Sequence, residues 1–92
     1  MPAVTPLDHL AIESLIFELL GQRAPGRSVC PSEVARQFSP EGWRNWMSPV
    51  RGVARELLRQ GRLRVTQGDR TLNAHEDWHG PVRLRLPACG KD

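Results

Sequence analysis

The spacing of the apolar residues changes at Gly61. Before this glycine, hydrophobic side chains recur three or four positions apart, as they do on one face of an α-helix. After it, polar and apolar residues alternate, as they do in a half-buried β-strand. The sequence therefore predicts helices first and strands afterwards. With 92 residues there is room for one domain, expected to span 1–92 with a core over about 8–87 and a flexible tail over 88–92.

Two helices are predicted before the longest one. The first covers about 8–20, where apolar residues that include Leu10 form a broad face, and either Thr5-Pro6 or Asp8 can begin it. The second is short, because Pro31 suits a first helical turn and Ser39-Pro40 stops the helix.

The third helix is predicted over about 48–60. Ser48 can cap its first free amides, Pro49 suits its first turn, and Gly61 can adopt the left-handed conformation that ends a helix. Its apolar stripe is Val50, Val53, Ala54, Leu57 and Leu58. Its second stripe is Arg51, Arg55 and Arg59, which lie four apart and point either into water or toward an anionic partner.

Two strands are predicted after Gly61, over 62–67 and 81–87, with a turn at Gly68-Asp69 and a polar loop over 74–80. Residues 70–73 are ambiguous, and 27–29 can form a very short extended segment. The expected core joins the helices to Leu63, Val65, Val82, Leu84 and Leu86. Three helices followed by an antiparallel hairpin indicate an α+β, mainly α, winged helix-turn-helix fold.

Trp43 and Trp46 lie three apart in the connection before Ser48. One helical turn would place both on the same side. We expect them to cover the end of the core or its rim. The alternative is that one of them stacks on a base or another ligand.

The charge is unevenly distributed along the chain. Residues 1–41 contain three basic and five acidic side chains, whereas residues 42–92 contain ten and five. A basic half indicates a polyanionic partner such as nucleic acid. The alternative is that a solvated helix simply needs charges and that a GC-rich genome supplies arginine, which accounts for twelve of the 13 basic residues.

Several classes of protein are not expected. No apolar run approaches the ~20 residues of a membrane helix, and the N-terminus lacks the features of a signal peptide, so we expect a cytoplasmic protein. Cys30 and Cys89 have no metal-ligand spacing and are expected to be reduced. Without a nucleophile elbow, a Gly-rich phosphate loop or paired carboxylates, we predict neither enzyme activity nor a cofactor.

Residues 75–79 read His-Glu-Asp-Trp-His, which matches the His-Glu-x-x-His motif of zinc metallopeptidases. The motif needs a helix that turns both histidines toward one ion. Here it lies between two predicted strands, and Gly80-Pro81 follows at once. We therefore expect a polar wing loop without a catalytic metal, although adventitious metal binding by His75 and His79 stays open.

Several motifs together resemble a family of small bacterial proteins that is catalogued as a domain of unknown function and regarded as winged-helix-like. They are Cys30–Arg36, Trp43-Arg44, Met47–Arg51, Gly61-Arg62, Val65–Gly68 and Gly80–Leu84. The resemblance covers about 10–86. It implies the fold and carries over no activity.

The predicted fold and charge favour binding to double-stranded DNA, with the third helix (about 48–60) entering the major groove. Arginine can donate two hydrogen bonds to guanine, and asparagine can form two hydrogen bonds with adenine. The side chains predicted to face the groove are Arg44, Asn45, Ser48, Arg51 and Arg55. The side chains predicted to meet phosphates or an adjacent groove are Arg59, Arg62, Arg64 and Arg70.

Two acidic residues of the predicted wing loop, Glu76 and Asp77, would oppose phosphate. The alternative is therefore a winged-helix module that contacts other proteins through its tryptophans and wing and binds no nucleic acid. The arginine stripe distinguishes the two functions. Pairing of these arginines with carboxylates would remove the DNA-binding surface, whereas unpaired arginines would preserve it. The oligomeric state is undetermined, and no dimerisation helix is evident.

Overall fold

Three helices are followed by a small antiparallel sheet in the computed structural model, which describes residues 4–22 and 28–87. The helices are α1 (Pro6–Gly21), α2 (Pro31–Phe38) and α3 (Trp43–Arg59). The strands are β1 (Arg64–Gln67), β2 (Arg70–Leu72) and β3 (Arg83–Arg85). This architecture confirms the predicted mainly α, winged-helix-like fold.

A reciprocal pair of hydrogen bonds begins α1. The Asp8 N–H donates to Thr5 Oγ1 at 3.0 Å, and the Thr5 N–H donates to the Asp8 carboxylate at 3.1 Å. Two otherwise unpaired amides are thereby satisfied. The start at Thr5-Pro6 is confirmed. The buried side of α1 is formed by Ile12, Ile16, Leu19 and Leu20, whereas Leu10, expected on the apolar face, is 57% exposed.

Helix α3 begins at Trp43, five residues before the predicted start. Ser48 is therefore not its cap but an exposed residue inside the helix, and Pro49 is buried in the helix interior. Gly42 occupies the N-cap position, and its carbonyl accepts a hydrogen bond from the Asn45 N–H at 3.0 Å. Because Pro49 has no N–H, it cannot donate to the Asn45 carbonyl one turn earlier.

Apolar packing explains why the helix continues through this proline. Trp43, Trp46 and Met47 are half-buried and pack against the core. The Trp46 ring meets Phe38 of α2 edge-on, at 4.6 Å between centroids. An interior proline costs about 3 kcal/mol, an amount that burying several large side chains can offset. The prediction that both tryptophans pack on the core or its rim is confirmed.

The sheet has the strand order β2-β1-β3, with both neighbours antiparallel to β1. The turn at Gly68-Asp69 is confirmed, with Gly68 at a φ of +60°. Strand β2 resolves the ambiguity over 70–73. Val29 adds a single bridge to Leu84 on the other side of β3, as expected for the short extended segment. Arg27 of that segment lies outside the described residues, as do Cys89 and the predicted tail at 88–92.

The core joins the three helices to one face of the sheet, where Val65 lies between Leu72 and Leu84. The prediction that Leu86 belongs to the core is wrong: the strand ends at Arg85, and Leu86 is 48% exposed. The buried hydrophobic residues contributed from outside the helices are Val29, Leu63, Val65, Leu72, Trp78, Val82 and Leu84. Within the described residues, no helix is both long enough and apolar enough to cross a membrane.

Candidate nucleic-acid interface

The first half of α3 presents an open face. Arg44, Asn45, Ser48 and Gly52 are all exposed, and their spacing places them on the side of the helix opposite Val50 and the core. Apart from the adjacent residues and the surrounding helix backbone, a Cβ at Gly52 would meet no atom of the described residues within 4 Å. A ligand can therefore approach the backbone of α3 closely at this position.

Two arginines stack on one tryptophan at the edge of this face. The guanidinium carbons of Arg36 and Arg44 lie 4.3 and 4.5 Å from the centroid of the Trp43 ring. Both arginines are exposed, and neither takes part in an ion pair between described residues. Cation–π contact thus positions two guanidinium groups without cancelling their charges.

Arg51 and Arg55 instead bind the backbone of the segment between β2 and β3, the 73–80 loop. Arg51 donates to the carbonyls of Trp78 at 3.3 Å and Gly80 at 2.9 Å. Arg55 donates through Nη1 to the carbonyls of Ala74 at 2.6 Å and Glu76 at 2.9 Å. The two arginines therefore attach this loop to the side of α3.

Trp78 anchors the 73–80 loop. It is only 8% exposed, its Nε1 donates to the Asn73 carbonyl at 3.0 Å, and the Arg55 guanidinium lies 4.3 Å above its ring. At the base of the loop, the Gln67 side chain donates to the carbonyls of His79 and Pro81. A core residue, Trp78, therefore anchors the predicted polar loop. The hydrophilic residues on both sides of Trp78 give no sign of this burial in the sequence.

Three further predicted arginines, Arg59, Arg62 and Arg70, face carboxylates. Arg59 pairs with Glu56 at 2.5 Å, and this hydrogen bond lowers the pKa of Glu56 and raises that of Arg59. The other two pairs join Arg62 to Glu13 at 2.8 Å and Arg70 to Glu76 at 2.5 Å. These exposed pairs reduce the positive charge that the sequence pattern suggested for the second half of α3 and the strands after it.

A family model described as a protein of unknown function (DUF3253) matches residues 9–87. The chain belongs to the DUF3253 family. The match runs from the first helix past the last strand, which confirms the expected resemblance. No curated protein matches this DUF3253 chain.

Only part of the predicted DNA-contacting set lies together in this DUF3253 protein. Arg44, Asn45 and Ser48 share the open face, whereas Arg51 and Arg55 bind the loop, and Arg64 is half-buried in the sheet. Sequence reasoning missed Arg36 because it lies on a different helix from Trp43. The adjacent residues Trp43-Arg44 are the one sequence signal that an arginine stacks on this ring.

The His-Glu-x-x-His segment of the DUF3253 chain forms turns and bends in the 73–80 loop, as predicted, and not a helix. His75 and His79 are exposed, while the Glu76 carboxylate accepts hydrogen bonds from Arg70 and from the Asn73 N–H at 2.9 Å. Among the described residues, no group of three or more His, Cys, Asp or Glu side chains could hold a metal ion. The helical geometry on which the zinc motif depends is absent.

The contacts of Glu76 lead to a prediction about pH. The Asn73 N–H, together with Arg70, holds the pKa of Glu76 below its ordinary value of 4.5. Its stabilising effect is therefore present above that value and is lost as the pH falls through the lowered pKa. We expect Glu76→Gln to lower the melting temperature at about pH 7, and we expect the difference from the wild type to shrink as the pH falls below 4.5.

Thermal melts of both proteins across this range measure the effect. Glu41→Gln is the matched control, because Glu41 is exposed and has no partner among the described residues. A wild-type advantage over Glu76→Gln that stays constant down to low pH would contradict the assignment.

Proposed function

We propose that this protein binds double-stranded DNA without catalysis, with the first half of α3 in the major groove. The observation that carries the proposal is the pair of guanidinium groups of Arg36 and Arg44, which lie on Trp43 beside the open face of α3 and form no ion pair with a carboxylate of the described residues. Helix-turn-helix proteins contact base edges with the first residues of this helix.

The side chains on the open face suit that role chemically. Arg44 can donate two hydrogen bonds to guanine, Asn45 can pair with adenine, and Ser48 can donate or accept at several base edges. Gly52 adds no side chain, so the groove wall can approach the helix. Arg36, which projects from α2, is suited to a backbone phosphate.

The proposed contact set is therefore Arg36, Arg44, Asn45 and Ser48. Arg51 and Arg55 act indirectly, by holding the 73–80 loop beside the helix. Arg59, Arg62 and Arg70 are outside the set because each guanidinium already faces a carboxylate.

Fluorescence anisotropy with a labelled random duplex tests the proposal, at about 50 and 200 mM salt. Wild-type affinity should fall steeply with salt. Arg36→Gln/Arg44→Gln should bind at least about tenfold more weakly, with a salt slope reduced by about one for each phosphate that the variant no longer neutralises. Arg59→Gln/Arg62→Gln removes the same charge and should stay close to the wild type.

Two outcomes would overturn the proposal. One is the absence of wild-type binding at the lower salt concentration. The other is an equal loss of affinity in the two double variants, which would mean that total charge alone attracts the duplex and that the face of α3 has no special role.

Protein–protein contact is the second candidate function, and exposed apolar residues in the first turns of α1 and just before it favour it. Leu7 is 78% exposed, Leu10 57% and Val4 45%. The protein-contacting surface predicted from the sequence included the wing and its tryptophan. Trp78 is buried in the loop, so the exposed residues before and in α1 replace it as the candidate contact surface. Under this alternative, Leu7→Gln/Leu10→Gln would abolish association with a partner while leaving the fold intact, and the wild type would bind no duplex.

A further inference from the structure

Asp77 lies in the middle of the 73–80 loop, where both of its neighbours are attached to α3. The carbonyl of Glu76, just before it, accepts a hydrogen bond from Arg55 at 2.9 Å. The carbonyl of Trp78, just after it, accepts a hydrogen bond from Arg51 at 3.3 Å. The two arginines therefore fix the backbone of Asp77 beside the helix.

The two adjacent acids of this loop have different surroundings. The Glu76 carboxylate pairs with Arg70 at 2.5 Å and accepts a hydrogen bond from the Asn73 N–H at 2.9 Å. Asp77 is exposed, and its carboxylate forms no hydrogen bond or ion pair with any of the described residues. The loop thus neutralises one of these negative charges internally and presents the other to the solvent.

The attached loop continues the line of residues that the open face begins. A spacing of four, three and four residues places Arg44, Ser48, Arg51 and Arg55 in one stripe along α3. The open face holds the first half of this stripe, and the loop covers the second half. A duplex that lies on the first half and follows the stripe would bring its backbone phosphates toward Asp77.

We infer that Asp77 is a specificity-determining residue of the DNA interface, whose carboxylate repels backbone phosphates from the loop and confines duplex contact to the open face of α3. This inference rests on the proposed function. Like charges that meet across an interface disfavour the wrong binding mode. Because phosphate attraction is independent of sequence, weakening it leaves base contacts with a larger share of the affinity.

Charge reversal at Asp77 tests the inference by fluorescence anisotropy with labelled duplexes. Asp77→Lys should bind a random duplex about five- to tenfold more tightly than the wild type at about 50 mM salt, because an attraction replaces the repulsion. The gain should shrink at about 200 mM salt, where exposed charges are screened more strongly. Across duplexes of different sequence, the ratio between the tightest and the weakest binding should fall in Asp77→Lys.

Glu18→Lys is the matched control, because Glu18 is an exposed residue of α1 without a partner among the described residues. It changes the net charge equally and should stay within about twofold of the wild type. Equal tightening in the two variants, or none in Asp77→Lys, would overturn the inference.

The loss of affinity in Arg36→Gln/Arg44→Gln reports the proposed function separately. If that loss is seen while Asp77→Lys binds like the wild type, DNA binding by α3 stands and only the role of Asp77 is removed. Thermal melts of Asp77→Lys should match those of the wild type, because the carboxylate has no partner among the described residues to lose.

Discussion

Replacing Trp78 by alanine should lower the free energy of unfolding by about 3–5 kcal/mol, the usual cost of truncating a buried tryptophan. Trp78 is 8% exposed, donates to Asn73 and supports Arg55, so the substitution opens a cavity and removes the anchor of the 73–80 loop together. Since small domains are stable by only about 5–15 kcal/mol, the melting temperature should fall by on the order of 15–30 °C.

Chemical denaturation of the two proteins measures this loss. Trp78→Phe is the informative companion, because it keeps an aromatic ring under Arg55 and removes the Nε1–H donor. Its cost should be well below that of alanine and near the net worth of one hydrogen bond, about 1 kcal/mol. A stability of Trp78→Ala within about 1 kcal/mol of the wild type would mean that the loop is not anchored through this residue.

Replacing Arg55 by methionine should detach the loop without unfolding the helices. Methionine retains an apolar stem over Trp78 but cannot donate to the carbonyls of Ala74 and Glu76. Hydrogen bonds from a charged donor contribute about 1.5–3 kcal/mol, so we expect a loss of about 2–3 kcal/mol. Amide hydrogen exchange should quicken over 73–80 and stay slow along the buried side of α3.

Arg59→Met is the matched control on the same helix. Arg59 lies one turn after Arg55, and among the described residues its guanidinium hydrogen-bonds only to Glu56, in an exposed pair that water and salt screen. Its replacement should change stability far less and leave exchange over 73–80 unaltered. Equal effects of the two substitutions would contradict a special role for Arg55.

Much of the fold could be predicted from the sequence, because each element depends on local signals. The second helix has Pro31 at its start and Ser39-Pro40 at its end, and the strand around Val65 follows the alternation of polar and apolar residues. The start of α3 could not be predicted in this way. Ser48-Pro49 resembles a helix beginning, and only the tertiary burial of Trp43 and Trp46 extends the helix back past it.

The candidate site was harder to predict than the fold. A four-residue repeat indicates that Arg51, Arg55 and Arg59 share one side of a helix, but it does not indicate what covers that side. Their partners lie elsewhere: the carbonyls of the 73–80 loop are 19 to 29 positions further along for Arg55 and Arg51. Such contacts carry no sequence pattern, because any residue supplies a backbone carbonyl.

The most direct test of the central claim is NMR mapping of a duplex onto the labelled protein. If the first half of α3 reads DNA while the arginines beyond it hold the loop, adding duplex should shift the backbone amides of Arg44, Asn45 and Ser48. The Nε–H signals of Arg51 and Arg55 should stay where they are. Shifts confined to the 73–80 loop or the sheet, with α3 unchanged at saturating duplex, would contradict the account.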